Sequence, residues 1–339
     1  EKIKGTSKKF TDNPTVFNRT QKEMEKTLNK LIPGKLSWKK INRNYKNEPV
    51  IEGTYKSDDG DKYKMHIVWD TYNNVTGNSD TYFCPSFYML GEKSDKEHIS
   101  AVISGLQADI DDIKTDYTNM IEKNVGTYKK AVEELIGRKI NDEYRMCSLN
   151  AKSAKIINDT QSIELKYNGK QYDLLAFYKD VDNLKFSDID PGYQVKADEK
   201  PDKWAKTTSA GNDHLSSMYD TSVYLVFCEG KLEYIEADSF RETGSVYKNE
   251  QKIISPNKAL KEVIKFYEKK LLVDEVKIKS IELQYAAYYA SDSSKTVKPV
   301  ITPVWLVGVY DNEESIERIA YFCYDGYTGE CYGNEIISW

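Results

Sequence analysis

The sequence has few of the residues from which metal and catalytic centres are built. Only three histidines, His66, His98 and His214, occur among 339 residues, and they lie far apart in the chain. The five cysteines include no Cys-x-x-Cys pair. Because zinc sites use three or four ligands, usually in closely spaced pairs, the sequence predicts neither a metal site nor any other cofactor.

Long apolar runs and a strong charge of one sign are absent too. The longest apolar stretches, such as 223–228 and 304–310, are much shorter than the ~20 residues of a membrane helix. With 49 basic and 54 acidic side chains, the chain has no electrostatic signature for binding nucleic acid or anionic lipid. These absences exclude a membrane-spanning helix and a nucleic-acid-binding role.

The motifs of the common enzyme classes are also missing. The sequence has no nucleophile elbow, phosphate loop, dinucleotide fingerprint or metalloprotease helix motif. His214 follows an aspartate, and Asp188 and Asp190 form a close carboxylate pair, but in a polar segment such residues are typical of solvated surface. We therefore expect a protein without enzymatic activity.

Three stretches have helical periodicity, and each is followed by strand-like segments. The first spans 13–33, and the second spans 99–137 with a break at 124–127. The third begins at Ser255-Pro256, where a serine cap precedes a proline.

Alternating apolar and polar residues predict strands and hairpins between these helices. Turn signals at 57–61, Asn168-Gly169 and Glu229-Gly230 each join two such runs. A change of phase near Lys279-Ser280 predicts a β-bulge. The run from Val300 to Tyr310 is apolar on both faces, which predicts a central strand covered on both sides.

These elements predict an α+β fold of successive units, each a helix followed by an antiparallel sheet, with the helices packed on one face. The predicted units are 1–96, 97–245 and 246–339. The second unit contains a long polar excursion at 179–220. Because 162–167 and 280–285 have similar sequences, the last two units are candidates for an internal repeat.

Cys323 and Cys331 flank a turn that contains Gly326 and Gly329. If the loop is 326–328, the two cysteines face each other across a hairpin, about 4.5–5.5 Å apart and within reach of a disulfide bond. The alternative is two thiols on opposed strands, one of them buried.

Aromatic residues are concentrated near the C-terminus. At this density they can line a groove for a peptide or a sugar. The candidate binding surface comprises Tyr285, Tyr289, Trp305, Tyr324 and Tyr327. The alternative is that tyrosine fills half-buried positions of a sheet.

Three C-terminal segments follow one another in a distinctive order: the strand 276–285, Pro303-Val304-Trp305, and the hairpin 324–330. In this order they resemble the terminal module of PepSY-like and YycH/YycI-type extracytoplasmic proteins of Gram-positive bacteria. The whole chain also resembles the mature part of a clostridial surface lipoprotein, whose lipid-bearing cysteine would lie just before Glu1.

The resemblance implies a non-enzymatic role outside the cytoplasm, at the cell surface, with the protein lipid-anchored or secreted. The protein would regulate a membrane sensor kinase, inhibit a protease or bind a peptide, and it would reach the membrane only through its lipid anchor. Two alternatives remain open. One is a protein that binds or cleaves cell-wall or dietary glycan, with carboxylates around 179–220. The other is a structural surface protein that assembles through the apolar seam from Ile99 to Met120.

Overall fold

The computed structural model describes most of the chain, with gaps. The described residues are 4–11, 19–43, 48–72, 82–107, 119–137, 139–161, 164–181, 184–185, 222–237, 242–269, 276–291, 297–311 and 318–337.

Within these ranges the chain forms five helices and fifteen strands. The helices are α1 (Gln21–Leu28), α2 (Lys96–Gln107), α3 (Asn119–Ile136), α4 (Ala151–Gln161) and α5 (Pro256–Glu268). The first eight strands are β1 (Lys4–Thr11), β2 (Gly34–Arg43), β3 (Glu48–Ser57), β4 (Lys62–Tyr72), β5 (Tyr82–Gly91), β6 (Ile140–Leu149), β7 (Tyr172–Val181) and β8 (Leu184–Lys185). The others are β9 (Ser222–Cys228), β10 (Lys231–Ala237), β11 (Glu242–Lys252), β12 (Ile278–Ser291), β13 (Val297–Asp311), β14 (Arg318–Asp325) and β15 (Cys331–Ile337).

The larger sheet has nine antiparallel strands in the order β2-β3-β4-β5-β10-β9-β7-β6, with β8 attached to β7. Strands β2 to β5 form a meander, as the alternating segments between 34 and 91 predict. Strand β10 then pairs with β5, with Ile235 opposite Met89. This pairing joins the meander to the second half of the sheet.

Helices cover both faces of the larger sheet. Leu175 and Phe177 of β7 belong to the hydrophobic cluster that also contains residues of α1 and α3. The alternate residues Leu174 and Ala176 belong to a second cluster, which contains residues of α2 and α4. Because successive strand residues point to opposite faces, the two clusters lie on opposite sides of the sheet. The α+β class is confirmed, but the helices are not confined to one face.

The smaller sheet has six strands and is organised around β13. One edge of β13 pairs with β12 along most of its length. The other edge pairs first with β1, where Lys8 lies opposite Ile301, and then with β14 from Val304 onward. Residues 301–309 are all buried, so the predicted central strand is confirmed. The predicted β-bulge is confirmed too, because the β12 register shifts between Ile278 and Ser280.

The sheets do not follow the three predicted sequence ranges. The β5–β10 pairing joins the first two ranges in one sheet. Strands β1 and β11, from the first two ranges, pair with each other, and β1 also pairs with β13 of the third. The side chain of Lys185 contacts Glu143 of the larger sheet at 3.3 Å and Glu282 of the smaller sheet at 3.2 Å.

Two of the three predicted hairpins have the expected form. Strands β3 and β4 pair up to Lys56 and Lys62, on either side of the turn at 57–61. Strands β9 and β10 are joined by Glu229 and Gly230, whose φ angles of 49° and 78° are those of a tight two-residue hairpin turn.

The region between 124 and 171 differs from the prediction. The predicted break at 124–127 is absent, and helix α3 continues through these residues. Val125 faces the core, and Gly126 lies on the exposed side of the helix. Residues 164–168 form a loop instead of a strand, and β7 pairs with β6 and β9. Since 280–285 lies in a strand, the similar sequence of 162–167 does not mark a repeated structural element.

We predict that Ile235→Ala lowers the free energy of unfolding by about 2–5 kcal/mol, because Ile235 is completely buried in the larger sheet. Urea unfolding of the full chain measures this loss. Ile264→Ala is the matched control: this side chain is 47% exposed on α5, and its removal should change stability by less than about 0.5 kcal/mol. Equal losses in the two variants would contradict the assignment of the core.

Candidate functional site

The aromatic residues that were candidates for a binding surface lie mainly in the core of the smaller sheet. Tyr285, Trp305 and Tyr324 are only 2–5% exposed. Trp305 and Tyr324 pack beneath α5, and Tyr327 is partly buried against the same cluster. The side chain of Tyr289 lies outside the described residues. Trp305, Tyr324 and Tyr327 therefore hold α5 on the sheet, and the buried side chains of Tyr285, Trp305 and Tyr324 do not line an open groove.

The indole of Trp305 illustrates this structural role. Its Nε1 atom donates a hydrogen bond to the carbonyl oxygen of Ile254, at 3.0 Å, just before α5 begins. Burial raises the pKa of the Tyr324 hydroxyl far above its ordinary value, as expected for a core position. The interpretation that aromatic side chains near the C-terminus fill buried sheet positions therefore accounts for Trp305 and Tyr324.

The predicted pairing of Cys323 with Cys331 is wrong in register. The β14–β15 turn contains one residue more than expected: the amide of Asp325 donates to the carbonyl of Glu330, at 2.8 Å. Cys331 therefore lies opposite Tyr324, and Cys323 lies opposite Gly333. Because alternate residues point to opposite faces, Cys323 is buried and Cys331 is exposed, and the structure contains no disulfide bond between them.

A cleft of about 280 Å³ lies where β4, β5 and β10 come together. One wall is the turn between β3 and β4, and a second is the end of β5 with the residues that lead into α2. The third wall is β10. The lining residues are Gly60, Asp61, Lys62, Tyr63, Gly91, Glu92, Lys93 and Glu233. The cleft combines segments that are distant in sequence, and the β5–β10 pairing brings them together.

Most acidic groups around the cleft are already engaged within the protein. The ammonium of Lys231 contacts the carboxylate of Asp59 at 3.0 Å and also that of Asp61. Hydrogen bonds from Ser57 and Lys231 lower the pKa of Asp59, so this carboxylate stays ionised. The hydroxyl of Ser94 donates to the carboxylate of Glu233.

Three charged side chains of the cleft remain exposed. Lys62, Glu92 and Lys93 are all exposed to solvent, and none forms an ion pair with another residue that the structure describes. The amide of Glu92 donates to the carbonyl of Lys62 at 2.8 Å, which holds the two residues side by side. The cleft can therefore contact a carboxylate through its lysines and a cationic group through Glu92.

Helix α2 begins beside the cleft with a buried histidine. The carboxylate of Asp95 accepts a hydrogen bond from the amide of His98, at 3.3 Å, and caps the helix. The Nε2 atom of His98 accepts a hydrogen bond from the amide of Asn168, at 3.1 Å. The Nδ1 atom lies 2.9 Å from Oδ2 of Asp95, although its N–H does not point straight at that oxygen.

The Nε2 lone pair of His98 is thus occupied, Nδ1 faces Asp95, and the side chain is 3% exposed. Its ring also stacks on Tyr172, with the centroids 5.2 Å apart. An imidazole that acts as a general base needs an Nε2 or Nδ1 lone pair directed at a substrate. Since the Nε2 lone pair accepts a backbone N–H, His98 serves the structure rather than a reaction.

Sequence reasoning did not identify the cleft. The hairpin at 57–61 was recognised, but nothing in its sequence connects it with 91–94 or with 231–233, because that connection depends on the pairing of distant strands. Asp188, Asp190 and His214, which were considered for catalysis, lie outside the described residues. Among the residues with described positions, no three His, Cys, Asp or Glu side chains are close enough to hold a metal ion.

The comparisons with known proteins bear on the fold. No family model matches the chain, and no curated protein matches it. Among solved structures, the chain is similar to an uncharacterised protein from Eubacterium rectale, with 16% sequence identity and a TM-score of 0.57 over 97% of this chain and 86% of that one. At this identity the likeness shows a shared fold only.

A second similar structure is the Bacillus megaterium YpeB C-terminal domain. It has 10% sequence identity and a TM-score of 0.41, and the match covers 94% of this chain and 98% of that one. In the part of the chain that the structure describes, no helix has both the length and the apolar character needed to cross a membrane.

We predict that Cys323 and Cys331 are not disulfide-bonded, because the hairpin register places them on opposite faces. Peptide mapping without reductant should recover no peptide in which they are linked. Cys331→Ser should change stability by less than about 0.5 kcal/mol, as for an exposed side chain. A linked peptide, or a loss of about 2–5 kcal/mol in Cys331→Ser, would show that the bond exists.

Proposed function

We propose that the protein is a non-catalytic, extracytoplasmic domain that binds or regulates a partner through protein or peptide contacts, and that the cleft between β4, β5 and β10 is where it binds. The observation that carries the proposal is the set of exposed charges in this cleft, Lys62, Glu92 and Lys93, which form no ion pair with any residue in the described part of the chain.

The dimensions and charges of the cleft fit a short peptide segment. A volume of about 280 Å³ accommodates one or two side chains rather than a large cofactor. Two lysines and one glutamate favour a ligand that has a carboxylate close to a basic group, and peptides combine such groups over short distances. Since the cleft is open and polar, we expect a modest affinity that weakens as salt is added.

The proposal of a non-catalytic role is supported by the arrangement around His98. Asp61 of the cleft and the neighbouring Asp59 are held by Lys231, and the nearby imidazole is bonded to a backbone amide. These groups stabilise the walls of the cleft and are not poised for proton transfer.

The partner that we propose is an extracytoplasmic segment of a membrane sensor kinase or a protease, or a peptide released outside the cell. The resemblance of the C-terminal segments to PepSY-like and YycI-like modules supports a location outside the cytoplasm. A lipid anchor that precedes Glu1 would hold the domain at the membrane surface.

A displayed library of random peptides, selected on the full chain, tests this function. We predict that the selected peptides contain acidic residues or a terminal carboxylate. We also predict that the double variant Lys62→Glu/Lys93→Glu binds a selected peptide at least about tenfold more weakly, because both cationic contacts are reversed. Isothermal titration calorimetry of one selected peptide measures the change.

Lys261→Glu is the matched control, because this lysine is exposed on α5, outside the residues that line the cleft. It should leave the affinity for the selected peptide unchanged. The proposal fails if the library gives no enrichment over a blank support, or if the double variant binds every selected peptide as tightly as the unaltered protein.

A further inference from the structure

Asn168 holds the loop 164–171 against the start of α2 through hydrogen bonds to a small cluster that includes the buried imidazole of His98. The amide of Asn168 donates to Nε2 of His98, at 3.1 Å. The side-chain nitrogen of Asn168 also donates to Oδ2 of Asp95 at 3.0 Å and contacts the hydroxyl of Tyr172 at 2.9 Å. The tip of the loop therefore depends on the same small cluster that caps α2.

The hydrogen bond to Asn168 requires a neutral imidazole. Nε2 can accept a backbone N–H only while it carries a lone pair, and protonation replaces that lone pair with a second donor. Two N–H groups would then face each other at the present N–N distance of 3.1 Å. Because His98 is only 3% exposed, its new proton cannot reach water unless the surrounding structure opens.

An acidic side chain lies on the other side of the ring. Nδ1 of His98 lies 2.9 Å from the carboxylate of Asp95. Burial raises the pKa of Asp95, but its hydrogen bonds with His98 and Asn168 outweigh this effect and leave the pKa below its ordinary value. Asp95 thus stays ionised in mild acid and can stabilise an imidazolium.

Other titratable or charged groups near the ring come from the neighbouring elements. Tyr167 of the loop and Tyr172 of β7 lie against the ring itself. Cys228 of β9 interacts with Tyr172, and Lys170 and Glu229 interact with Cys228. Burial raises the pKa of Tyr172 to about 12 and also raises that of Cys228, so both remain neutral in mild acid. Histidine is the side chain that changes charge in this pH range.

We infer that His98 is a pH-dependent latch: when its imidazole is protonated, it keeps its contact with Asp95 and releases the amide of Asn168, so that the loop 164–171 opens. At the tip of the loop, Gly169 has a φ of +83°, and no atom lies within 4 Å of the position that its Cβ would occupy, so the tip is not packed against the rest of the described structure at this point. Asn158 holds the start of the loop through two hydrogen bonds with Leu165, so the opening is confined to the tip.

The latch lies between two walls of the cleft. Asp95 directly follows Ser94, which is hydrogen-bonded to Glu233. On the other side, the amide of Gln171 donates to the carboxylate of Glu229, at 2.6 Å, two residues before Lys231. Release of Asn168 also removes its hydrogen bond to Asp95, which supports the chain beside one wall of the cleft, and we expect peptide affinity to fall in mild acid. This consequence rests on the proposed function, whereas the latch itself does not.

Amide hydrogen exchange of the full chain without ligand tests the latch. Exchange is compared at about pH 7.5 and about pH 5.5, after correction for the intrinsic effect of pH on exchange rates. We expect protection in 164–171 to fall at least about tenfold on acidification, while protection in the core strand β9 is unchanged. His98→Gln should abolish this response, because a glutamine side-chain oxygen can accept the Asn168 amide at either pH.

His66→Gln is the control, since His66 lies on β4 outside this cluster, and it should keep the full response. An unchanged loop in the unaltered protein, or the same response in His98→Gln, would overturn the latch. If His98→Gln does not fold, NMR of the unaltered protein decides: the amide shift of Asn168 must titrate with the imidazole nitrogens of His98. Peptide affinity is measured separately at about pH 7.5, so a failure of peptide binding leaves the test of the latch intact.

Discussion

The pairing of β5 with β10 is the interaction on which the rest of the larger sheet depends. It joins residues 87–90 to residues 234–237, which are far apart in the chain. It thereby connects the meander of β2 to β5 with strands β10, β9, β7 and β6 of the same sheet. Such a contact is costly in chain entropy and must be compensated by burial. The compensation comes from Phe87, Met89 and Ile235, which are almost completely buried. Without this pairing, the residues that line the cleft would not lie next to one another.

The polar groups near this junction follow from the same geometry. Where β4, β5 and β10 end, their backbones leave the sheet and their charged side chains meet. Internal partners hold Asp59, Asp61 and Glu233, whereas Lys62 and Lys93 have none among the described residues. Burying an unpaired charge would be costly, so such residues stay at the surface, where a ligand can neutralise them. A cleft with exposed charges arises here because the ends of three strands come together.

Local features of this fold could be predicted from the sequence, and features that depend on distant pairing could not. The tight turn at Glu229-Gly230, the start of α5 at Pro256 and the bulge near Ser280 each depend on a few neighbouring residues, and the structure contains all three. The pairing of β1 with β13 has no local signature, and no strand is predicted from the sequence over residues 4–11.

At the candidate site, the choice between the alternatives that the sequence leaves open has equally physical reasons. The aromatic residues near the C-terminus have the same spacing whether they face a groove or a core, and only the position of α5 decides between them. The hairpin of Cys323 and Cys331 differs from its prediction by one residue in the turn, which is enough to place the two side chains on opposite faces. The position of His98 beside Asn168, 70 residues away in sequence, also depends on packing alone.

The register of β5 against β10 is the central claim, and an engineered disulfide tests it most directly. Tyr88 lies opposite Glu236, so Tyr88→Cys/Glu236→Cys should oxidise readily, and peptide mapping without reductant should recover the 88–236 link. Tyr88→Cys/Tyr234→Cys places the cysteines on a diagonal, about 7–8 Å apart, and should not form a bond. Preferential bonding of the second pair would show that the strands pair in another register and that the cleft is not formed as described.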